Sequence, residues 1–158
     1  VQRECISTMD AFPCLSVANN GDGFPIATVG RSSYLARSSL HKGSGWRLGW
    51  DPTRSPFVAL VGGEAWALEL TQEEWQAFVQ GVQRLQQDME AIASQLMAEE
   101  GITLEQTCPA LTLIASGSAT AWGLYVQLHQ GRRGEGFWPA DVVPELCQAL
   151  AQCFQEAL

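Results

Sequence analysis

Arg132 and Arg133 stand in the run Gly131-Arg132-Arg133-Gly134-Glu135-Gly136-Phe137-Trp138-Pro139, which brings together three glycines, two arginines and a tryptophan. A second cluster, Trp46-Arg47-Leu48-Gly49-Trp50, holds an arginine between two tryptophans. Aromatic faces and guanidinium groups on one surface are what a single-stranded nucleic acid needs: rings to stack its bases and cations to meet its phosphates. Arg132, Arg133 and Arg47 are the candidate phosphate contacts, with Trp138 and Tyr125 as candidate stacking faces on the side of the sheet away from Leu124 and Val126. The competing reading of the same residues is structural, because a guanidinium commonly lids a packed indole and glycines commonly serve turns.

No other chemistry is spelled out. The nucleophile elbow, the phosphate loop, the dinucleotide fingerprint and the HExxH motif are absent. His129 is the single histidine between residues 45 and 158, and His41 falls before them. Carboxylates come one or two at a time, and Glu73-Glu74 and Glu99-Glu100 fall at expected helix ends, where capping and the helix dipole account for them. The chain is therefore expected to be non-enzymatic, with no metal or cofactor. Cys5, Cys14, Cys108, Cys147 and Cys153 show no disulfide or zinc spacing. Cys147 and Cys153 share an expected helix at a spacing that points them to different faces. The thiols read as buried groups in a reducing cytosol, which sets the expected location as cytoplasmic.

Charge bears on the partner. The chain carries a formal net charge of −8. Residues 46–158 hold 14 Asp and Glu against 5 Arg and no Lys, a net −9. Such a body repels a duplex polyanion unless its few arginines cluster. No stretch approaches the roughly 20 apolar residues that span a bilayer, so no membrane partner is expected.

The elements that must position these residues begin at Gly45. Residues 1–44 lack sustained periodicity and are rich in Ser, Gly and Asn. They read as a disordered tail, an Arg- and Ser-rich transit segment for organelle import, or an over-extended gene start. Residues 45–158 read as one domain. Trp46–Trp50 alternates, and Phe57–Val61 and Glu64–Leu70 flank Gly62-Gly63 as a two-residue hairpin connection. That register sets Ala59 opposite Trp66 and Phe57 opposite Leu68, with apolar residues on both sides of the ribbon and hence cover expected on both.

Thr71-Gln72-Glu73-Glu74 is a capping box. Trp75, Phe78, Val82, Leu85, Met89, Ile92 and Leu96 follow at helical spacing, and Gly101 stops the run. A helix of that length, roughly 40 Å, overhangs its sheet, so its far end at Leu96 and Met97 is expected to seek a second copy of the chain as a homodimer. Strands follow over residues 102–106, 110–116, 119–130 and 135–138, with Gly117-Ser118 as a tight turn that sets Leu113 opposite Trp122 and Leu111 opposite Leu124. A closing helix opens at Asp141 or just after it, with Pro144 in its first turn. The order strands–helix–strands–helix is α+β with antiparallel sheets, a loose internal duplication.

Several blocks also resemble a known family: Gly45-Trp46-Arg47-Leu48-Gly49-Trp50-Asp51-Pro52, Leu60-Val61-Gly62-Gly63-Glu64, Glu69-Leu70-Thr71, and Arg132-Arg133-Gly134-Glu135-Gly136-Phe137-Trp138-Pro139-Ala140. Together they resemble the domain of unknown function eighteen-eighteen, a family of small proteins of oxygenic photosynthetic bacteria. The resemblance implies a curved antiparallel sheet fold like that of the single-stranded-DNA-binding transcriptional regulators, the Whirly and PC4-like proteins. It carries no activity and no site residues. Two functions from different classes are expected on these grounds. One is a regulator associated with single-stranded DNA or RNA; the other is a protein-interaction or assembly module that binds no nucleic acid.

Overall fold

Thr71 and Glu74 start the long helix as their spacing requires. The Glu74 amide donates to Thr71 Oγ1 at 3.3 Å, and the Thr71 amide donates to a Glu74 carboxylate oxygen at 2.8 Å. This helix, α1, runs Gln72–Ala93, about 33 Å at 1.5 Å per residue. Trp75, Phe78, Val82, Leu85 and Met89 are all buried along it, as the spacing predicts. Its end differs from the expectation. The helix stops at a Ser94 cap, and Gly101 lies well past that stop. Met97 is 81% exposed beyond the end, and Leu96 lies outside the described residues. α1 thus ends at Ala93, before Leu96 and Met97, the residues on which self-association was expected.

The computed structural model describes residues 38–95, 97 and 100–156, with side chains as far as Cys153. The readings placed on residues 1–37 lie outside them. The described chain holds two antiparallel four-stranded sheets, each a meander followed by a helix. The first consists of β1 (Ser39–Gly43), β2 (Trp46–Trp50), β3 (Phe57–Gly62) and β4 (Ala67–Thr71), and it leads into α1. The second consists of β5 (Ile102–Thr107), β6 (Leu111–Gly117), β7 (Trp122–Leu128) and β8 (Glu135–Trp138), and it leads into α2 (Val143–Glu156). The fold is α+β, with the internal duplication the sequence suggested. Among the described residues, no helix is long and apolar enough to cross a membrane.

β1 corrects the expected boundary at residue 45. Its five residues pair in register with β2, Ser39 with Trp50 and Gly43 with Trp46. Ser44-Gly45 is the two-residue turn between them, with Gly45 at φ +80, a conformation that favours glycine. The short segment has little alternation of its own, and its backbone is satisfied by a neighbour that lies further along the chain.

Two hairpin registers also differ from expectation, and in the same way. Ala59 pairs with Leu70, not Trp66, Val61 pairs with Leu68, and Phe57 pairs with Thr71 after a bulge. Leu113 pairs with Val126 and Leu111 with Leu128, not with Trp122 and Leu124. In each hairpin the glycine expected in the turn ends the strand, and the loop takes four residues. Gly63 N donates to Trp66 O at 3.0 Å in one, and Ser118 N to Ala121 O at 3.0 Å in the other. Away from the bulge at Phe57, each slip moves the pairing by four residues, so the faces of those side chains are preserved. Leu124, Val126 and Leu128 are buried on one side of β7 while Gln127 is exposed on the other, as the alternation predicts.

The core lies between α1 and the inner faces of both sheets. Leu48, Val61 and Leu70 of the first sheet, Leu113, Leu124, Val126 and Trp138 of the second, and Leu146 and Leu150 of α2 all enter it. Among the described residues, the outer side of the β3–β4 ribbon lacks the full cover expected for it. Leu40 is 70% exposed there, and Val58 and Leu60 line an open groove beside it.

Candidate interaction surface

Arg132 is partly exposed, but its guanidinium is engaged within the fold. One of its nitrogens lies 2.6 Å from a carboxylate oxygen of Glu74, whose side chain is 3% exposed. Another donates to the Glu69 carbonyl, and its guanidinium carbon stands 4.2 Å from the centre of the Phe57 ring. Glu74 Oε2 thus accepts from both Arg132 and the Thr71 amide. The loop between β7 and β8 is thereby tied to the start of α1. A buried carboxylate needs such donors, since leaving it without a counter-charge is strongly unfavourable.

Arg47 is likewise engaged, donating to the Trp66 carbonyl at 3.1 Å. Trp138 is fully buried, and its indole N–H donates to the Gly62 carbonyl at 2.9 Å. Its ring packs against Trp66 at 4.6 Å and Phe78 at 5.8 Å between centres. Trp66 lies close over Gly136, where a Cβ would come within 2.3 Å of its ring, so only glycine fits there. Trp138 pairs with Leu124 on the inner face, so its expected place beside Tyr125 on the outer face is corrected. A ring with no exposed surface cannot stack a base. Arg132 thus lies over Phe57, Arg47 meets a backbone carbonyl, and Trp138 packs on Trp66 and Phe78 in the core.

Arg133 and Tyr125 remain outward. Arg133 is exposed, sits at φ 47 and makes no hydrogen bond or ion pair among the described residues. Tyr125 donates its hydroxyl to Glu135 at 2.6 Å, and that hydrogen bond, with the charge behind it, raises the Tyr125 pKa. The residue paired with Tyr125 is Phe137, which is 53% exposed and was not among the expected site residues. Its signal was present in Glu135-Gly136-Phe137-Trp138: an exposed Glu135 puts Phe137 on the same face and Trp138 on the other.

The register assembles the outer face of the second sheet in rows. One row across β5 to β8 is Glu105, Ile114, Tyr125 and Phe137; the next is Thr107, Thr112, Gln127 and Glu135. Glu105, Gln127, Glu135 and Phe137 are exposed, and Ile114 and Tyr125 are half-buried between them. No Arg or Lys belongs to either row. A chain of hydroxyls runs through the second row. Thr107 donates to Glu105 at 2.8 Å, Thr107 and Thr112 lie 3.0 Å apart, and Thr112 lies 2.9 Å from His129 Nε2. An ionised carboxylate only accepts, so Thr107 must accept from Thr112, and Thr112 must accept from His129 Nε2–H. The chain thereby fixes the orientation of Glu105 as the Tyr125 hydroxyl fixes that of Glu135.

Elsewhere, α1, α2 and the β6–β7 turn form an open cleft of about 390 Å³ lined by Met89, Trp122, Pro144 and Cys147. Burial, with a smaller contribution from Glu90, pushes the Cys147 thiol up to about 11. The thiolate is the reactive form, so Cys147 is expected to react with iodoacetamide at pH 8 much more slowly than Cys108. Mass spectrometry of tryptic peptides over time checks this, and equal rates would contradict the burial.

The model of a domain of unknown function, DUF1818, matches residues 41–153. The chain belongs to the DUF1818 family. A solved structure similar to the DUF1818 chain is the 1.80 Å crystal structure of a protein of unknown function from Prochlorococcus sp. NATL2A, described as a DUF155 family member. It is 32% identical, with a TM-score of 0.70 over 73% of this chain and 98% of its own. No curated protein matches the DUF1818 chain.

Proposed function

We propose that this DUF1818 domain is a non-enzymatic protein-interaction module, with the outer face of the second sheet as its docking surface. The carrying observation is the pairing of Tyr125 with Phe137 on a face that exposes Phe137 by 53% and holds Ile114 beside them. A row of apolar side chains across adjacent strands, rimmed by polar ones, has the make-up of an interface centre.

The single-strand reading draws on the same aromatic pair but lacks its cations. Arg132 and Arg47 are engaged within the fold, and Glu105 and Glu135 border the rings where phosphates would run. Carboxylates at that place repel a polyanion. Of the three candidate arginines, Arg133 alone is left to attract one, and a single phosphate contact gives little affinity.

A random-peptide display selection on the full chain tests the proposal. Selected peptides should bind the wild type and lose at least ten-fold in affinity on Phe137→Ala, while melting of that variant stays within a few degrees. Peptides that bind both proteins equally would move the docking surface elsewhere.

A further inference from the structure

We infer that the partner segment is an extended, cationic stretch carrying two arginines four residues apart with an apolar residue midway between them. The inference rests on the docking face just proposed and adds the chemistry of what lies on it.

Glu105 and Glu135 stand on the two edge strands of the second sheet, with β6 and β7 between them. They lie one row apart, so three strand spacings of about 4.8 Å across and two residues along the strands put them about 16 Å apart. Each carboxylate is held by one hydroxyl and faces no cation among the described residues. Thr107 donates to Oε1 of Glu105, and Tyr125 donates to Oε2 of Glu135. The second oxygen of each is left for another donor. The described arginines do not supply it: Arg132 is paired with Glu74, Arg54 stands 3.9 Å from Glu69, Arg47 meets a carbonyl, and exposed Arg84 and Arg133 form no ion pair among the described residues. Two oriented, unneutralised carboxylates flanking apolar rings on a domain of net −9 select a positive partner.

The spacing follows from the geometry of an extended chain. Side chains at alternate positions point to one face, at about 3.3 Å per residue, so residues four apart lie about 13 Å apart on the same side. That is a few ångströms short of the separation of the carboxylates, a gap that two long arginine side chains span. The residue midway then lies over β6 and β7, beside Ile114 and Tyr125. Arginine suits the outer positions better than lysine, because a planar guanidinium pairs with a carboxylate while its face lies on an aromatic ring. Glu135 and Phe137 sit two apart on β8 and offer both groups at once.

The test is an NMR titration of the ¹⁵N-labelled full chain with the capped pentapeptide Arg-Thr-Val-Thr-Arg at low salt. Amide shifts should concentrate at Ile114, Tyr125 and Phe137. Replacing both peptide arginines by citrulline, the neutral isostere, should weaken binding at least ten-fold. Glu105→Gln and Glu135→Gln should each weaken it about five-fold, the upper range for an exposed ion pair, whereas Glu64→Gln and Asp141→Asn should leave it unchanged. Equal affinity for the citrulline peptide, or indifference to both Gln variants, overturns the cationic partner. If shifts still fall on the face and Phe137→Ala removes them, the docking surface stands with a neutral partner. If the arginine peptide shifts only residues away from the face, the inference and the docking surface fall together.

Discussion

Trp138→Ala will unfold most of the margin that keeps this domain native. The side chain is fully buried and contacts Trp66 and Phe78, and removing a core tryptophan costs about 3–5 kcal/mol. The Gly62 carbonyl also loses its indole donor, which adds about 1 kcal/mol if no water replaces it. A domain of this size has only about 5–15 kcal/mol in total. Trp138→Phe keeps most of the volume and should lose about half as much. Urea unfolding followed by circular dichroism measures both. A Trp138→Ala protein within about 1 kcal/mol of wild type would mean that the indole is not the hub described.

Arg132 and Arg133 should part company under substitution. Arg132→Ala leaves Glu74, 3% exposed, without its cation and loosens the capping box that shares the same carboxylate oxygen. Breaking one side of a buried pair costs about 3 kcal/mol. Arg133 makes no contact of that kind, so Arg133→Ala should stay within about 0.5 kcal/mol. Adding Glu74→Gln to Arg132→Ala should recover part of the loss, because a neutral amide can still accept from Thr71 and needs no counter-ion. A double-mutant cycle on these two positions measures the coupling directly. Equal, small losses for the two arginines would contradict the dependence of buried Glu74 on Arg132.

The features legible in the sequence were those set by local geometry. The capping box at Thr71, the spacing from Trp75 to Met89 and the alternation along β7 each involve residues a few positions apart, and each formed as read. Apart from the bulge at Phe57, the misplaced hairpin registers kept their faces, because strand parity survives an even slip. What sequence could not give were contacts that close only in three dimensions. Arg132 and Glu74 are 58 positions apart, and Trp138 and Gly62 are 76 apart. No pattern within a window marks either pair. Arginine next to tryptophan looked the same whether it faced solvent or the core. The choice between Phe137 and Trp138 turned on which neighbour of Glu135 lay inward, and the Trp66 ring above Gly136 fixes that side.

The claim that matters most is that this domain's aromatic face docks protein and not nucleic acid. The direct measurement is a fluorescence-anisotropy titration of a labelled single-stranded oligonucleotide with the full chain at low and moderate salt, wild type beside Arg133→Ala and Phe137→Ala. The account predicts no saturable binding at either salt, because the face carries Glu105 and Glu135 and two of the three arginines once open to phosphate are engaged inside the fold. Saturable binding that falls steeply with salt and disappears in both variants would contradict it.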